Sequence, residues 1–193
     1  SYDPLNDVKF LEEELNYWIL GILDKNWNKL SRFETSTTKT KVAILVEQMS
    51  GLGVKHEHID ESLRRLNLKE KKMIDWTPEE LMKFAIEIRK TSKPIIIAAN
   101  KCDLPTAENN VKRLKETYPE YIIVATSAET ELALKEANKK EYLKYIPGDD
   151  HLEIIKDLDE KQKKAIEFME QNILKKYGGT GVQKCINAAV FDL

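Results

Sequence analysis

Only two of the 193 residues are cysteine, Cys102 and Cys185, and they lie far apart. Neither a disulfide framework nor a Cys-x-x-Cys metal site can be built from such a pair. Long hydrophobic runs are also missing. The longest, such as IIIAA at 95–99, are five residues, far short of a membrane span. The opening stretch SYDPLNDVKF has no basic region followed by an apolar one, so it does not read as a secretory signal and the expected location is the cytoplasm, with no membrane partner. Strong charge of one sign is absent as well. With 31 Lys and Arg against 33 Asp and Glu, the chain is not built throughout for nucleic acid.

What is present is enough apolar material, 41% of residues, for a sizeable core. In VKFLEEELNYWILGIL, Val8, Leu11, Leu15, Trp18, Ile19 and Ile22 recur at helical spacing, with Pro4 and Asn6 or Asp7 as start signals. Composition then shifts. Residues 25–75 carry eleven Lys or Arg, among them Lys39, Lys41, Arg64 and Arg65, against seven Asp or Glu, which marks a separate module. Its pattern is helical over Lys39–Met49, around Ile59, Leu63 and Leu66, and from Thr77 onward. There Thr77 is the expected N-cap, Pro78 takes the first helical position and Glu80 closes a capping box.

From Lys93 the period changes. PIIIAAN reads as a strand buried on both faces, followed by a helix near Ala107–Thr117 and a second apolar strand, Tyr121–Ala125. Further helices are expected over Glu131–Tyr142, Asp159–Tyr177 and from Thr180, where Thr180 and Gln183 have capping-box spacing. Strand, helix, strand and helix again predict an α/β fold with a parallel sheet and flanking helices.

The polar residues at the strand ends carry the chemistry. Ligands of open parallel sheets bind beyond the carboxyl ends of the strands, where Asn100, Lys101 and Asp103 end one strand and Ser127, Ala128 and Glu129 follow the next. Guanine presents an N1–H and an N2–H₂ side by side, and one fixed carboxylate such as Asp103 accepts both. Adenine has a lone pair at N1 and would be repelled. The Lys101 stem can cover a face of the base while its ammonium stays wet. Asn100 can bridge the base and the neighbouring loop, and the backbone N–H groups of Ser127 and Ala128 can reach O6.

NKCD at 100–103 and TSAE at 126–129 resemble the Asn-Lys-x-Asp motif and the Ser-Ala loop of P-loop GTPases. With DPLNDVKFLEEELNYW, TSKPIIIAANKCD, ATSAETEL, EYLKYIPGD and GTGVQKCINAAVFDL, the chain is similar nearly end to end to Obg-like GTPases of the YchF type, the archaeal ones above all. The charged helical stretch is the least constrained part of that resemblance. The resemblance implies a partial P-loop GTPase domain from residues 1–22 and 91–193, interrupted by a helical, partly coiled-coil insertion over 23–90. It implies binding of GTP and GDP, a ribosome or RNA partner for the helical arm, and hydrolysis of GTP by the complete protein. Many relatives that favour ATP have lost Asn-Lys-x-Asp; Lys101 and Asp103 are kept here, so guanine specificity is expected.

The departures are as informative. None of the seven glycines belongs to a Gly-x-x-x-x-Gly-Lys-Ser/Thr, so the backbone cradle for phosphates, its lysine and the hydroxyl for Mg²⁺ are lacking. The switch motifs and the C-terminal TGS domain of the resembled family have no counterpart either. The chain is therefore expected to be a middle portion of a larger GTPase, with Mg²⁺ held only through upstream residues. The alternative is a non-enzymatic RNA- or protein-binding module with a vestigial pocket.

Other features read as structural. Gly178-Gly179-Thr180-Gly181 looks like a helix end running into a capped helix. His56 and His58 lack a third ligand. Glu12, Glu13 and Glu14 point around a helix as a solvated face. Tyr17, Trp18 and Trp76 read as packing residues, and Cys102 as the variable position beside the pocket.

Overall fold

A computed structural model describes residues 3–192; Ser1, Tyr2 and Leu193 lie outside it. The chain divides into two compact units, Asn6–Pro94 and Ser1–Leu5 with Ile95–Leu193.

The first unit is helical: α1 (Pro4–Asp24), α2 (Trp27–Ser36), α3 (Lys41–Met49), α4 (His56–Arg65) and α5 (Pro78–Ser92). Caps set the boundaries. The Thr40 side chain accepts from the Ala43 N–H, and Thr77 and Glu80 form the expected reciprocal box with Pro78 opening α5. Ile19, Leu23, Leu45, Met49, Ile59, Leu63, Phe84 and Ile88 form a core with no exposed surface. Trp76 joins it, edge-on to Phe84 at 5.2 Å.

Two details of this unit differ from expectation. Glu12 is not merely solvated: with Asn16 it receives the buried Arg89, at 2.9 and 3.1 Å. Tyr17 and Trp18 are exposed, 63% and 50%, instead of packed. The cause is rotational. Glu12, Asn16, Ile19 and Leu23 follow one another at four, three and four residues and share a face, and that face turns inward. Tyr17 and Trp18 point elsewhere. Lys41 is also drawn inside. Its ammonium donates to the carbonyls of Leu68, Lys69 and Lys71 and lies 3.7 Å from Glu34.

The second unit opens with β1 (Ile96–Ala99), α6 (Ala107–Thr117) and β2 (Ile122–Ala125). The strands pair in parallel, Ile96 with Ile122 through Ala99 with Ala125, which requires a crossover such as α6. Asp3 ties the first residues to this unit by accepting from the Leu5 N–H and from Arg113. Then come α7 (Ala128–Lys139), a short antiparallel pair β3 (Leu143–Lys144) and β4 (Glu153–Ile154), α8 (Glu160–Met169), α9 (Lys175–Tyr177) and α10 (Val182–Phe191). A π turn, Glu170–Leu174, joins α8 to α9. Leu134, Leu143, Tyr145, Leu158, Ile166 and Leu174 form one core cluster; Cys102, Ala107 and Ile173 form another.

The strands are less covered than a two-faced burial requires. Of the eight residues of β1 and β2 only Ile123 is buried, and Ala98 is exposed. Each strand has one neighbour, and the helices of this unit leave part of both faces open. The cap expected at Thr180 is also absent: Gly181, in the left-handed region, precedes α10 with no side-chain cap. Among the described residues no helix is long and apolar enough to cross a membrane.

Candidate functional site

The strand ends converge. Beyond β1 the main chain turns sharply at Lys101, whose φ of 64° is left-handed for a non-glycine residue. Such strain persists only where surroundings impose it. Here the Cys102 N–H donates to the Thr126 carbonyl and the Thr126 N–H to the Ala99 carbonyl, both at 2.9 Å. These bonds carry the strand pairing past its regular end and bring the 100–103 and 126–129 segments side by side.

Cys102 turns inward, 4% exposed, between exposed Lys101 and half-buried Asp103. Burial first, then the Asp103 charge, pushes its thiol up to about 11. A thiol so held is inert near neutral pH.

Ser127 organises the opposite side. It is fully buried and caps α7, its side-chain oxygen accepting from the Thr130 N–H at 3.3 Å. Its hydroxyl donates to Asp103 Oδ1 at 2.9 Å and lies 2.8 Å from Thr130 Oγ1. A serine is suited to this because one short side chain can cap a helix and still present a hydrogen. Asn100 completes the bridge, its Oδ1 accepting from the Ala128 N–H at 3.1 Å. Asn100, Asp103, Ser127 and Ala128 thus form one bonded cluster at the N-terminus of α7, where the helix dipole is positive. Lys101 and Glu129 flank it, both exposed.

The Ser127 N–H is engaged within the protein: it donates to the Thr180 carbonyl at 2.9 Å. Ala128 is the loop donor that faces an exposed partner. Behind the loop is a buried group that periodicity did not single out. Glu131, 5% exposed, accepts at Oε2 from Thr180 Oγ1 at 2.6 Å and from the Tyr145 hydroxyl at 2.8 Å, and Lys135 meets Oε1 at 3.0 Å. Burial alone would raise this carboxyl, but the bonds from Thr180, Tyr145 and Lys135 prevail and hold it below its usual range. The glycines around Thr180 were the available signal. At Gly181 a Cβ would stand 2.0 Å from the Ala125 carbonyl oxygen, so that loop presses directly on the end of β2.

His56 and His58 open α4, where the His58 Nδ1 accepts from the Lys55 N–H. Among the described residues no three or more His, Cys, Asp or Glu side chains cluster so as to hold a metal ion.

Residues 98–193 match the family described as Obg-like GTPase YGR210-like, G4 motif-containing domain. Over its whole length the chain is 46% identical to a GTP-binding protein of Methanocaldococcus jannaschii and spans 48% of it. A GTP-binding protein of Schizosaccharomyces pombe is 27% identical over 94% of this chain and 46% of its own. The crystal structure of a GTP-binding protein from Pyrococcus horikoshii OT3 matches 99% of this chain and 51% of its own, with a TM-score of 0.80 at 36% identity. The chain thus spans about half the length of the relatives it matches. Taken together, the strand-end cluster and these likenesses make the chain homologous to GTP-binding proteins, with residues 98–193 matching the G4 motif-containing domain of the Obg-like, YGR210-like GTPases.

Proposed function

We propose that residues 95–193 supply the guanine-recognising part of an Obg-like GTPase of the YchF type, which hydrolyses GTP to GDP and phosphate when complete. The observation that carries this reading is the Asp103 carboxylate held at 2.9 Å by the buried Ser127 hydroxyl. One oxygen is engaged by the protein, and the group retains acceptor capacity for the adjacent N1–H and N2–H₂ of guanine. The Ala128 N–H is the donor suited to O6, and Asn100, which now accepts it, is the bridge between base and loop. The exposed Lys101 stem covers the base, and Glu129 stands at the rim.

The residues present fit the base and not the phosphates, for no glycine-rich cradle followed by lysine occurs. Phosphates and Mg²⁺ would be held by residues outside this chain. In this reading residues 23–90 are a helical insertion that transmits nucleotide state to a ribosome or RNA partner in the cytoplasm. Exposed Lys25, Lys29 and Arg32 support an RNA-facing surface, whereas Lys39, Lys55, Arg65, Lys69 and Lys71 each meet a carboxylate of the chain itself.

The test is Asp103→Asn in the intact protein, with affinities for GDP, ADP and xanthosine diphosphate measured by calorimetry. The amide places a donor opposite position 2, where guanine has an amine and xanthine a carbonyl. GDP binding should weaken by about a hundredfold or more, and xanthosine diphosphate should gain. An unchanged GDP to ADP ratio would overturn the reading.

A further inference from the structure

Thr180 and Gly181 lie more than 50 residues from Ser127 in the chain, yet their loop is bonded to the first turn of α7 twice. The Thr180 carbonyl accepts the Ser127 N–H at 2.9 Å, and the Thr180 hydroxyl donates to Glu131 at 2.6 Å. Glu131 in turn donates its own N–H to the Ser127 carbonyl at 3.1 Å, as the first turn of α7 requires. The result is a closed ring in which one distant residue grips both ends of that turn. Ser127 and Thr180 have no exposed surface, and Glu131 and Tyr145 have 5% each. Water therefore offers no substitute partners, and loss of a bond leaves a buried group unpaired.

We propose that Thr180, anchored by Glu131 and Tyr145, is a positioning residue for guanine recognition. It touches no part of the base, but it holds Ser127, and Ser127 holds Asp103. A carboxylate discriminates between bases only if it is already in place when the base arrives. The proposal rests on the base-recognition reading above and adds residues that lie behind the pocket. The neighbouring Gly181 serves the same end, because any Cβ there would collide with the Ala125 carbonyl and push the loop off Ser127.

The experiment compares Thr180→Val and Thr180→Ser in the intact protein. Two quantities are read: the Kd ratio of ADP to GDP by calorimetry, and exchange of the Ser127 amide hydrogen by NMR without nucleotide. Valine keeps the shape and removes the hydroxyl; serine keeps the hydroxyl. The expected result for valine is an ADP to GDP ratio smaller by about tenfold or more, through weaker GDP binding, and faster Ser127 exchange, with serine restoring both. Glu131→Gln, which keeps an acceptor oxygen, is the milder second variant should valine fail to fold, and it should shift the same readouts less. Unchanged Ser127 exchange in Thr180→Val overturns the anchor, whatever happens at Asp103. Faster exchange with an unchanged ratio overturns the link to recognition. If Asp103→Asn also leaves the ratio unchanged, the base-recognition reading itself falls.

Discussion

Arg89 is 2% exposed and meets the Glu12 carboxylate at 2.9 Å, joining residues 77 positions apart in the chain. Asn16 supplies a second acceptor at 3.1 Å. A buried guanidinium is tolerable only while its partners remain. Glu12→Ala should therefore cost about 3 kcal/mol in urea unfolding, more than exposed charges generally contribute. Replacing both residues, as Glu12→Leu with Arg89→Met, should recover most of that loss. A cost below about 1 kcal/mol for Glu12→Ala would show that water reaches Arg89.

Lys41 offers a contrasting case of a cation used as a clasp. Its three carbonyl partners lie in the 68–71 loop, and burial, the largest influence, draws its pKa down despite Glu34. Lys41→Met keeps the stem and removes every donor. The variant should lose about 2 kcal/mol, and amide exchange should quicken in residues 68–72 before it does in α3. Uniform exchange changes across the helical unit would contradict a local clasp.

Gly181 and Gly51 make a matched pair. An alanine at 181 would sit at φ +80° with its Cβ 2.0 Å from the Ala125 carbonyl oxygen, whereas at Gly51 nothing lies within 4 Å. Gly181→Ala should cost about 2 kcal/mol or more, and Gly51→Ala should stay within about 0.5 kcal/mol of the parent. Equal melting temperatures for the two variants would count against the close approach.

The pH dependence has two limbs. Burial, aided by Asp103, pushes Cys102 up to about 11, and burial with the Glu131 bond pushes Tyr145 up to about 12. Both groups keep their protons longer in the folded chain than in the unfolded one. Their contributions are complete below the unfolded pKa values and vanish as pH climbs through the folded ones, so stability should fall between about pH 9 and 12. Glu131 runs the other way. Its lowered pKa gives stability above the ordinary carboxylate value that is lost on acidification through the folded one. Denaturation midpoints across pH 3 to 12 test both limbs, and Tyr145→Phe should blunt the alkaline one.

Local signals explain why so much of the chain could be read in advance. The box of Thr77, Pro78 and Glu80 and the helix Ala107–Thr117 are specified by neighbours a few residues away. So is the apolar run ending in NKCD. The features that escaped are long-range. Nothing near Glu12 announces a partner at Arg89, and Thr180 with Gln183 satisfies the spacing of a cap while its hydroxyl is taken by Glu131, 49 residues earlier. Spacing rules describe what a side chain can do for its own helix, and a buried carboxylate outbids the local amide. The parallel pairing was legible from strand, helix and strand; the thin coverage of β1 and β2 was not, because an apolar run says that burial is sought and not what supplies it.

The π turn at Glu170–Leu174 fits one continuous rod to two cores. Ile166 and Leu174 serve the cluster around Leu143, while Ile173 joins Cys102, with Tyr177 packed against that second group. An extra residue in the turn sets the register between the two halves of the rod. The wider turn takes up that residue, so removing Gln171 would restore an ordinary helix with Lys175–Tyr177 on nearly the same bearing, whereas removing a residue from the regular helix α8 would rotate them by about 100°. In that second case Tyr177 would swing away from Cys102 and the chain would reach Gly178 on the wrong bearing. Along this rod the gene can lose a codon at the turn more safely than in the helix before it.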